Sequence, residues 1–103
     1  MDDTEIVDLY WKREERAVEE TAKKYGSFCY SIAYNVLSNH EDSEESVNDT
    51  YLGAWNTMPP KHPPILSTFL GRITRNIAFK RYREKKGRKK RRGINKYIKK
   101  LYK

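Results

Sequence analysis

The chain has 103 residues and a formal net charge of +8, from 22 lysine and arginine residues against 14 aspartate and glutamate residues. This length allows one small domain rather than two, and 37% hydrophobic against 35% charged residues predict a small core beneath a highly charged surface. No stretch approaches the roughly 18 apolar residues of a membrane-spanning helix. A single cysteine cannot hold a zinc ion alone, and two histidines without a glycine-rich phosphate loop leave little for most enzyme mechanisms.

The hydrophobic pattern is helical throughout and predicts an all-α fold, a compact bundle of about four helices followed by a basic tail. The first helix is expected to begin at Asp2 or Asp3, whose carboxylates can cap its N-terminus. Its predicted apolar face is Ile6, Val7, Tyr10 and Trp11. After a break near Arg13–Glu15, a second helix follows. Its predicted core stripe is Val18, Thr21, Tyr25, Phe28, Ile32 and Val36.

Residues 38–40 are predicted to end the second helix and cap the third, and Gly26 to let a neighbouring helix approach closely. The predicted core residues of the third helix are Val47, Tyr51, Ala54, Trp55 and Met58. Residues 59–64, the proline loop, contain four prolines and cannot be helical. Ser67 is predicted to cap a fourth helix, which buries Leu66, Leu70, Ile73 and Ile77.

The charges are distributed unevenly along the chain. Residues 1–58 carry 5 basic and 13 acidic side chains, whereas residues 80–103 carry 14 basic side chains and one acidic one. This asymmetry favours two surfaces, one for a basic or mixed protein and one for a polyanion. A solvated acidic body with a merely solubilising tail is the alternative.

The basic tail is predicted to differ in structure from the rest of the chain. Residues 88–92 are a run of like charges between two glycines, which is expected to be extended or disordered on its own. Helical spacing returns in Ile94, Tyr97, Ile98, Leu101 and Tyr102. We therefore divide the chain into a helical domain, 1–85, and a basic linker or tail, 86–103, which can include a short amphipathic helix.

The expected compartment is the cytoplasm. Met1–Glu5 is acidic, whereas a secretion signal is basic and then apolar. Cys29 has no second cysteine with which to form an internal disulfide. Both observations favour a reduced location.

Packing leaves one face of the third helix unexplained. This acidic face consists of Glu45, Asn48, Asp49 and Leu52. An apolar anchor within a charged surround is typical of a protein–protein contact. The alternative is an ordinary solvated face with one exposed leucine.

The fourth helix carries a basic stripe. Its members are Arg72, Arg75, Asn76, Phe79, Lys80 and Arg83. Arginine and lysine neutralise phosphates, asparagine pairs with base edges, and an aromatic ring stacks on an unpaired base. With Lys61 and His62 in the preceding loop, the stripe predicts a pocket for an extruded base. The alternatives are that Phe79 belongs to the core and that the arginines only increase solubility.

Two segments resemble a known family. Residues 39–55, NHEDSEESVNDTYLGAW, resemble region 2.2 of bacterial RNA polymerase sigma factors of the extracytoplasmic-function type. Residues 66–78, LSTFLGRITRNIA, resemble regions 2.3 and 2.4 of the same family. The resemblance covers about residues 3–85, in order and with suitable spacing.

The resemblance implies that the acidic face docks on the coiled coil of the polymerase β′ subunit. It also implies that the proline loop and the fourth helix recognise the promoter −10 element, hold a flipped non-template base and help to melt the duplex. The residues implied in DNA binding, with Arg83 added from the basic stripe, are Lys61, His62, Ser67, Arg72, Arg75, Asn76, Lys80 and Arg83. No catalytic residue and no cofactor is expected, and an anti-sigma factor is a further candidate partner.

The sequence also departs from the family pattern. Ser46 replaces a usual leucine, Phe69 a frequent tryptophan and Lys80 a frequent aspartate. No region 4, the helix-turn-helix that binds the −35 element, follows before Lys103. This departure leaves open a competitor or regulator that occupies the β′ site without initiating transcription. A general basic binder of nucleic acid or anionic membranes, driven by residues 80–103, is the third hypothesis.

Overall fold

The computed structural model describes the backbone of residues 1–101 and the side chains of residues 1–87. In this part of the chain the helices are α1 (Asp3–Trp11), α2 (Arg16–Leu37), α3 (His40–Thr57) and α4 (Leu66–Leu101). The predicted all-α fold of four helices is confirmed. The core lies where α2 packs against α1, α3 and α4.

Two helices begin at the predicted capping residues. Asp2 accepts a hydrogen bond from the backbone N–H of Glu5 at 2.9 Å, and Asn39 accepts one from Asp42 at 2.9 Å. Each side chain satisfies a backbone donor that has no partner within its helix. Ser38 ends α2 in the left-handed conformation, with φ of 49°.

The other two boundaries are a turn and a loop. The predicted break at 13–15 is confirmed by a turn at Arg13, whose φ is 60°. The predicted cap of α4 at Ser67 is wrong, because α4 already begins at Leu66. The carbonyl of Ile65 accepts from the N–H of Phe69 at 3.2 Å, so Ile65 occupies the capping position.

In α1 the predicted apolar face is confirmed for three of its four residues. Ile6, Val7 and Tyr10 are buried, and so is Leu9, which the prediction omitted. Trp11 is 43% exposed, so its placement in the core is wrong. Its indole turns instead toward the proline loop, where its N–H has a hydrogen-bond acceptor.

The core stripe predicted for α2 is confirmed as buried at Thr21 only, since Val18, Tyr25, Ile32 and Val36 are half-buried. The buried residues of α2 are Ala17, Thr21, Cys29 and Ala33, whereas Phe28 is 43% exposed. Small residues let the neighbouring helices approach, so the larger side chains flank the contact instead of filling it. At Gly26 an added Cβ would lie 3.2 Å from the Tyr51 hydroxyl oxygen, which confirms the predicted close approach.

In α3 and α4 the predicted core is partly confirmed. Val47, Ala54, Met58, Leu66 and Leu70 are buried, whereas Tyr51, Trp55, Ile73 and Ile77 are half-buried. Several small polar residues that the prediction omitted are buried as well: Ser43, Ser46, Thr50 and Thr74. Their hydroxyls donate to carbonyls one turn earlier, and Thr50 and Thr74 also contact each other at 2.9 Å. Because these groups are satisfied, they can occupy the interior.

The backbone of α4 runs through the predicted tail as one helix to Leu101. The extended conformation expected for 88–92 is therefore wrong, since arginine and lysine are good helix formers. The predicted apolar face from Ile94 to Tyr102 concerns side chains outside the described residues. The division between 85 and 86 stays a prediction, and α4 crosses it.

Candidate nucleic-acid and protein interfaces

A pocket of about 450 Å³, the loop pocket, lies between the proline loop and the beginning of α4. It falls within the range of about 300–1,000 Å³ that is typical of small-ligand sites. Four of the predicted DNA-binding residues line it: Lys61, His62, Arg72 and Asn76. The remaining lining residues are Pro63, Pro64, Ile65, Thr68, Phe69 and Ile73. The pocket therefore combines two cationic side chains, an amide and an aromatic ring.

A second depression, of about 400 Å³, lies between α2 and α4. Ser67 and Arg75 line this groove and not the loop pocket, whereas Arg72 and Thr68 line both. The contribution of α2 comes from Phe28, Ile32, Asn35 and Val36. The sequence had placed Phe28 in the core, and the exposed position becomes evident only when the buried stripe is centred on Cys29. Arg72 connects the two depressions.

The basic stripe continues along α4 beyond both depressions. Lys80 and Arg83 are exposed and line neither of them. Phe79 is 44% exposed, which places it on the surface and not in the core. Among the side chains of residues 1–87, no ion pair involves Arg72, Arg75, Lys80 or Arg83. Their charges are thus available to a polyanion.

The acidic face of α3 is exposed at all four of its residues, and Leu52 is 58% exposed. Leu52 borders a shallow depression of about 470 Å³ between α2 and α3. The other lining residues are Glu15, Val18, Glu19, Tyr51 and Trp55. An apolar floor with carboxylates at its edge suits a basic, amphipathic protein segment.

Part of the acidic face is already paired within the chain. Arg81 of α4 donates to Glu45 at 2.8 Å and to Asp49 at 2.6 Å, and Lys85 pairs with Asp42. The hydrogen bond to Asp49 raises the pKa of Arg81 above its ordinary value. Of the predicted docking residues, Asn48 and Leu52 are the ones without such a pair to α4.

The sequence profile of the Sigma-70 region 2 family matches residues 21–88, well over half of the chain. The chain belongs to the sigma-70 region 2 family. Membership implies a sigma-factor role in transcription initiation and binding to core RNA polymerase, without enzymatic activity. Neither the curated proteins nor the solved structures gave a match.

The sigma region 2 match contains both predicted interfaces and omits the N-terminus of the fold. It begins at Thr21, within α2, and ends at Arg88, within α4. The acidic face, the proline loop and the basic stripe all lie inside it. Helix α1 and the turn at Arg13 lie outside it, although both contact the sigma region 2 core.

The described residues of this sigma region 2 domain form neither a metal site built from histidine, cysteine or carboxylate side chains nor a membrane-spanning helix. No group of three histidine, cysteine, aspartate or glutamate residues there could hold a metal ion. None of the helices among the described residues is long and apolar enough to cross a bilayer. Burial raises the pKa of the Cys29 thiol, which disfavours the reactive thiolate.

The Arg81 bridge predicts a measurable coupling between α3 and α4. We expect Arg81→Ala to lower the free energy of unfolding by about 1 kcal/mol, because partly exposed ion pairs each contribute roughly 0.2–1 kcal/mol. Asp49→Asn should cost less in the Arg81→Ala background than in the wild type. Urea unfolding of the two single variants and the double variant measures this difference. Additive costs would show that the pair of Arg81 with Asp49 contributes nothing to stability.

Proposed function

We propose that this chain is a region 2 module of the extracytoplasmic-function type, which docks on the β′ coiled coil of core RNA polymerase and recognises and helps to melt the promoter −10 element. The observation that carries the proposal is the separation of two chemically different surfaces. The depression beside Leu52 is apolar with an acidic rim, and the loop pocket is basic with an amide and an aromatic ring. The two surfaces share no residue.

The polymerase contact is supported by the acidic face and its surroundings. Leu52 provides an exposed apolar anchor, and Glu15 and Glu19 add negative charge at the edge of the same depression. A partner helix with an apolar residue and flanking basic residues complements this arrangement. Because Glu45 and Asp49 already contact Arg81, the anchor and Asn48 carry more of the proposed contact than the carboxylates do.

The DNA contact is supported by the loop pocket. Arg72 and Lys61 supply positive charge for the strand, Asn76 supplies an amide for a base edge, and Phe69 supplies an aromatic wall. Each base that stacks on an aromatic side chain contributes roughly 1–3 kcal/mol to the binding free energy. This gain is similar in size to the few kcal/mol needed to unstack one base from the duplex. Capture of a flipped base therefore shifts the duplex toward the open state without covalent chemistry.

Transcription with bacterial core polymerase tests the whole proposal. The protein is added to core enzyme on a promoter library whose −10 element is randomised, and the transcripts are sequenced. We expect co-purification with core enzyme and start sites that follow a preferred −10 sequence. Core enzyme alone is the matched control.

Two other outcomes would contradict the proposal. Co-purification with core enzyme without any specific transcript would identify a competitor for the β′ site. Equal retention of all DNA sequences without core binding would identify a general binder of polyanions.

A further inference from the structure

The proline loop has little capacity to fix its own conformation. Four of the six residues 59–64 are prolines, which have no backbone N–H. Within the described backbone, the loop makes one hydrogen bond to α3, from Lys61 N to Thr57 O at 2.9 Å. The loop therefore depends on donors from other parts of the fold.

Arg13 makes two hydrogen bonds of this kind where the chain enters the loop. One guanidinium nitrogen, Nη1, donates to the carbonyls of Trp55 at 2.7 Å and Met58 at 2.8 Å. If α3 continued, the backbone N–H of residue 59 would donate to the Trp55 carbonyl. Residue 59 is a proline, which has no N–H to donate. The guanidinium also lies 3.7 Å from the centre of the Trp55 ring. Arg13 thus fixes the direction in which the chain leaves α3.

Trp11 holds the middle of the loop. Its indole N–H donates to the Lys61 carbonyl at 3.0 Å. Its ring lies against the ring of His62, with 5.6 Å between centroids and 57° between planes. Both contacted residues line the loop pocket, so Trp11 supports two of its walls.

Arg13 has a backbone conformation that favours glycine, so the arginine at this position has to be explained by the contacts of its side chain. Its φ of 60° lies in the left-handed region, which glycine adopts without steric cost and arginine rarely adopts. Glycine would suit the turn itself. The arginine at this position adds three contacts with the end of α3, namely hydrogen bonds to the carbonyls of Trp55 and Met58 and a contact with the Trp55 ring.

We infer that Trp11 and Arg13 are positioning residues, which hold the proline loop so that Lys61 and His62 form the pocket wall and thereby set the base preference of the site. The base preference rests on the proposed function, whereas the support of the loop rests on the contacts alone. Both residues lie outside the segment that matches the family.

Three variants test this inference. Arg13→Gly removes the side chain and suits the left-handed turn, and Trp11→Phe keeps a ring beside His62 but removes the donor to Lys61. Lys12→Ala is the control, because it removes the same charge as Arg13→Gly from a neighbouring exposed position.

The first readout needs no DNA. The chain has two histidines, so the ring protons of His62 can be followed by NMR and assigned with His62→Gln. We expect Arg13→Gly to shift the His62 signals because the loop moves, and Trp11→Phe to shift them because the ring beside His62 and the hydrogen bond to Lys61 both change. The His40 signals report an intact fold, since His40 bonds to Tyr30 at 2.8 Å, on α2. Lys12→Ala should leave both histidines unchanged.

The second readout is base preference. Each variant binds a pool of short single-stranded DNA with randomised central positions, and the bound strands are sequenced. At the most selective position of the strand, we expect the preference for one base over the others to fall about tenfold in Arg13→Gly and Trp11→Phe. The reason is that each variant loses one or two hydrogen bonds that hold the pocket. Retention of the whole pool should change less, because the basic stripe is intact.

Different failures have different meanings. Unchanged His62 signals in Arg13→Gly would overturn the inference, because the loop would then keep its conformation without the contacts of Arg13. Shifted signals with the wild-type base preference would overturn its specificity part. A wild-type protein without any base preference would refute the proposed function and the specificity part together, while the His62 signals would still decide whether Trp11 and Arg13 position the loop.

Discussion

Replacing Arg72 and Arg75 together by glutamine is expected to weaken binding of single-stranded −10 DNA by at least about tenfold, because hydrogen bonds to charged groups contribute about 1.5–3 kcal/mol each. Both arginines line the depressions beside α4, and neither has an ion pair among the described side chains. Each phosphate contact with a single strand contributes about 0.7 to the slope of the logarithm of the binding constant against the logarithm of the salt concentration. Loss of two such contacts should therefore reduce the magnitude of this slope by about 1.4. Fluorescence anisotropy over a series of salt concentrations measures both quantities.

The control for this prediction removes the same charge elsewhere. Arg16 and Lys23 are exposed on α2 and line neither depression, so Arg16→Gln with Lys23→Gln should leave affinity and slope nearly unchanged. Equal losses in the two double variants would mean that net charge alone attracts the strand. A weakened affinity with an unchanged salt slope would mean that the arginines contact bases and not phosphates.

Local chemistry made the helix ends predictable. The caps at Asp2 and Asn39 each act on an N–H three residues away, so the sequence alone contains the whole interaction. The proline loop was predictable for the same reason, because proline restricts its own backbone and that of its predecessor. The exposed position of Leu52 followed from helical spacing, since the core residues of α3 occupy the opposite side.

The core of α2 shows where spacing misleads. A stripe of large apolar residues is the usual signal of a buried face, but α2 buries alanine, threonine and cysteine where it crosses its neighbours. Close helix approach favours small residues at the contact, and Phe28 is displaced to the groove beside α4. An apolar residue one position away from the true centre of the stripe gives nearly the same periodic signal.

Interactions between distant segments could not be predicted at all. Arg81 pairs with carboxylates 32 and 36 residues earlier, and Trp11 donates to a carbonyl 50 residues later. Such contacts depend on how the helices pack, which no local pattern encodes. They change the interpretation of both interfaces, because Arg81 neutralises part of the acidic face and Trp11 supports the loop pocket.

We expect Leu52→Glu to reduce affinity for core RNA polymerase by at least about 30-fold, which corresponds to the roughly 2 kcal/mol of a central interface residue. The substitution removes the apolar anchor and adds a third carboxylate to a depression already edged by Glu15 and Glu19. Because the side chain is 58% exposed, the free energy of unfolding should change by no more than about 0.5 kcal/mol. Pull-down with core enzyme and urea unfolding measure the two effects.

Ile65 provides the matched control, because it is 59% exposed but lines the loop pocket instead of the acidic face. Ile65→Glu should retain polymerase binding and lose single-stranded DNA, whereas Leu52→Glu should do the reverse. This reciprocal pattern follows from two surfaces without a common residue. Leu52 is also a cleaner probe than Asp49, since substitution of Asp49 also removes one of the two ion pairs between Arg81 and α3. Loss of both activities in either variant would show that the two surfaces form one interface, and unchanged polymerase binding in Leu52→Glu would remove the acidic face from the docking site.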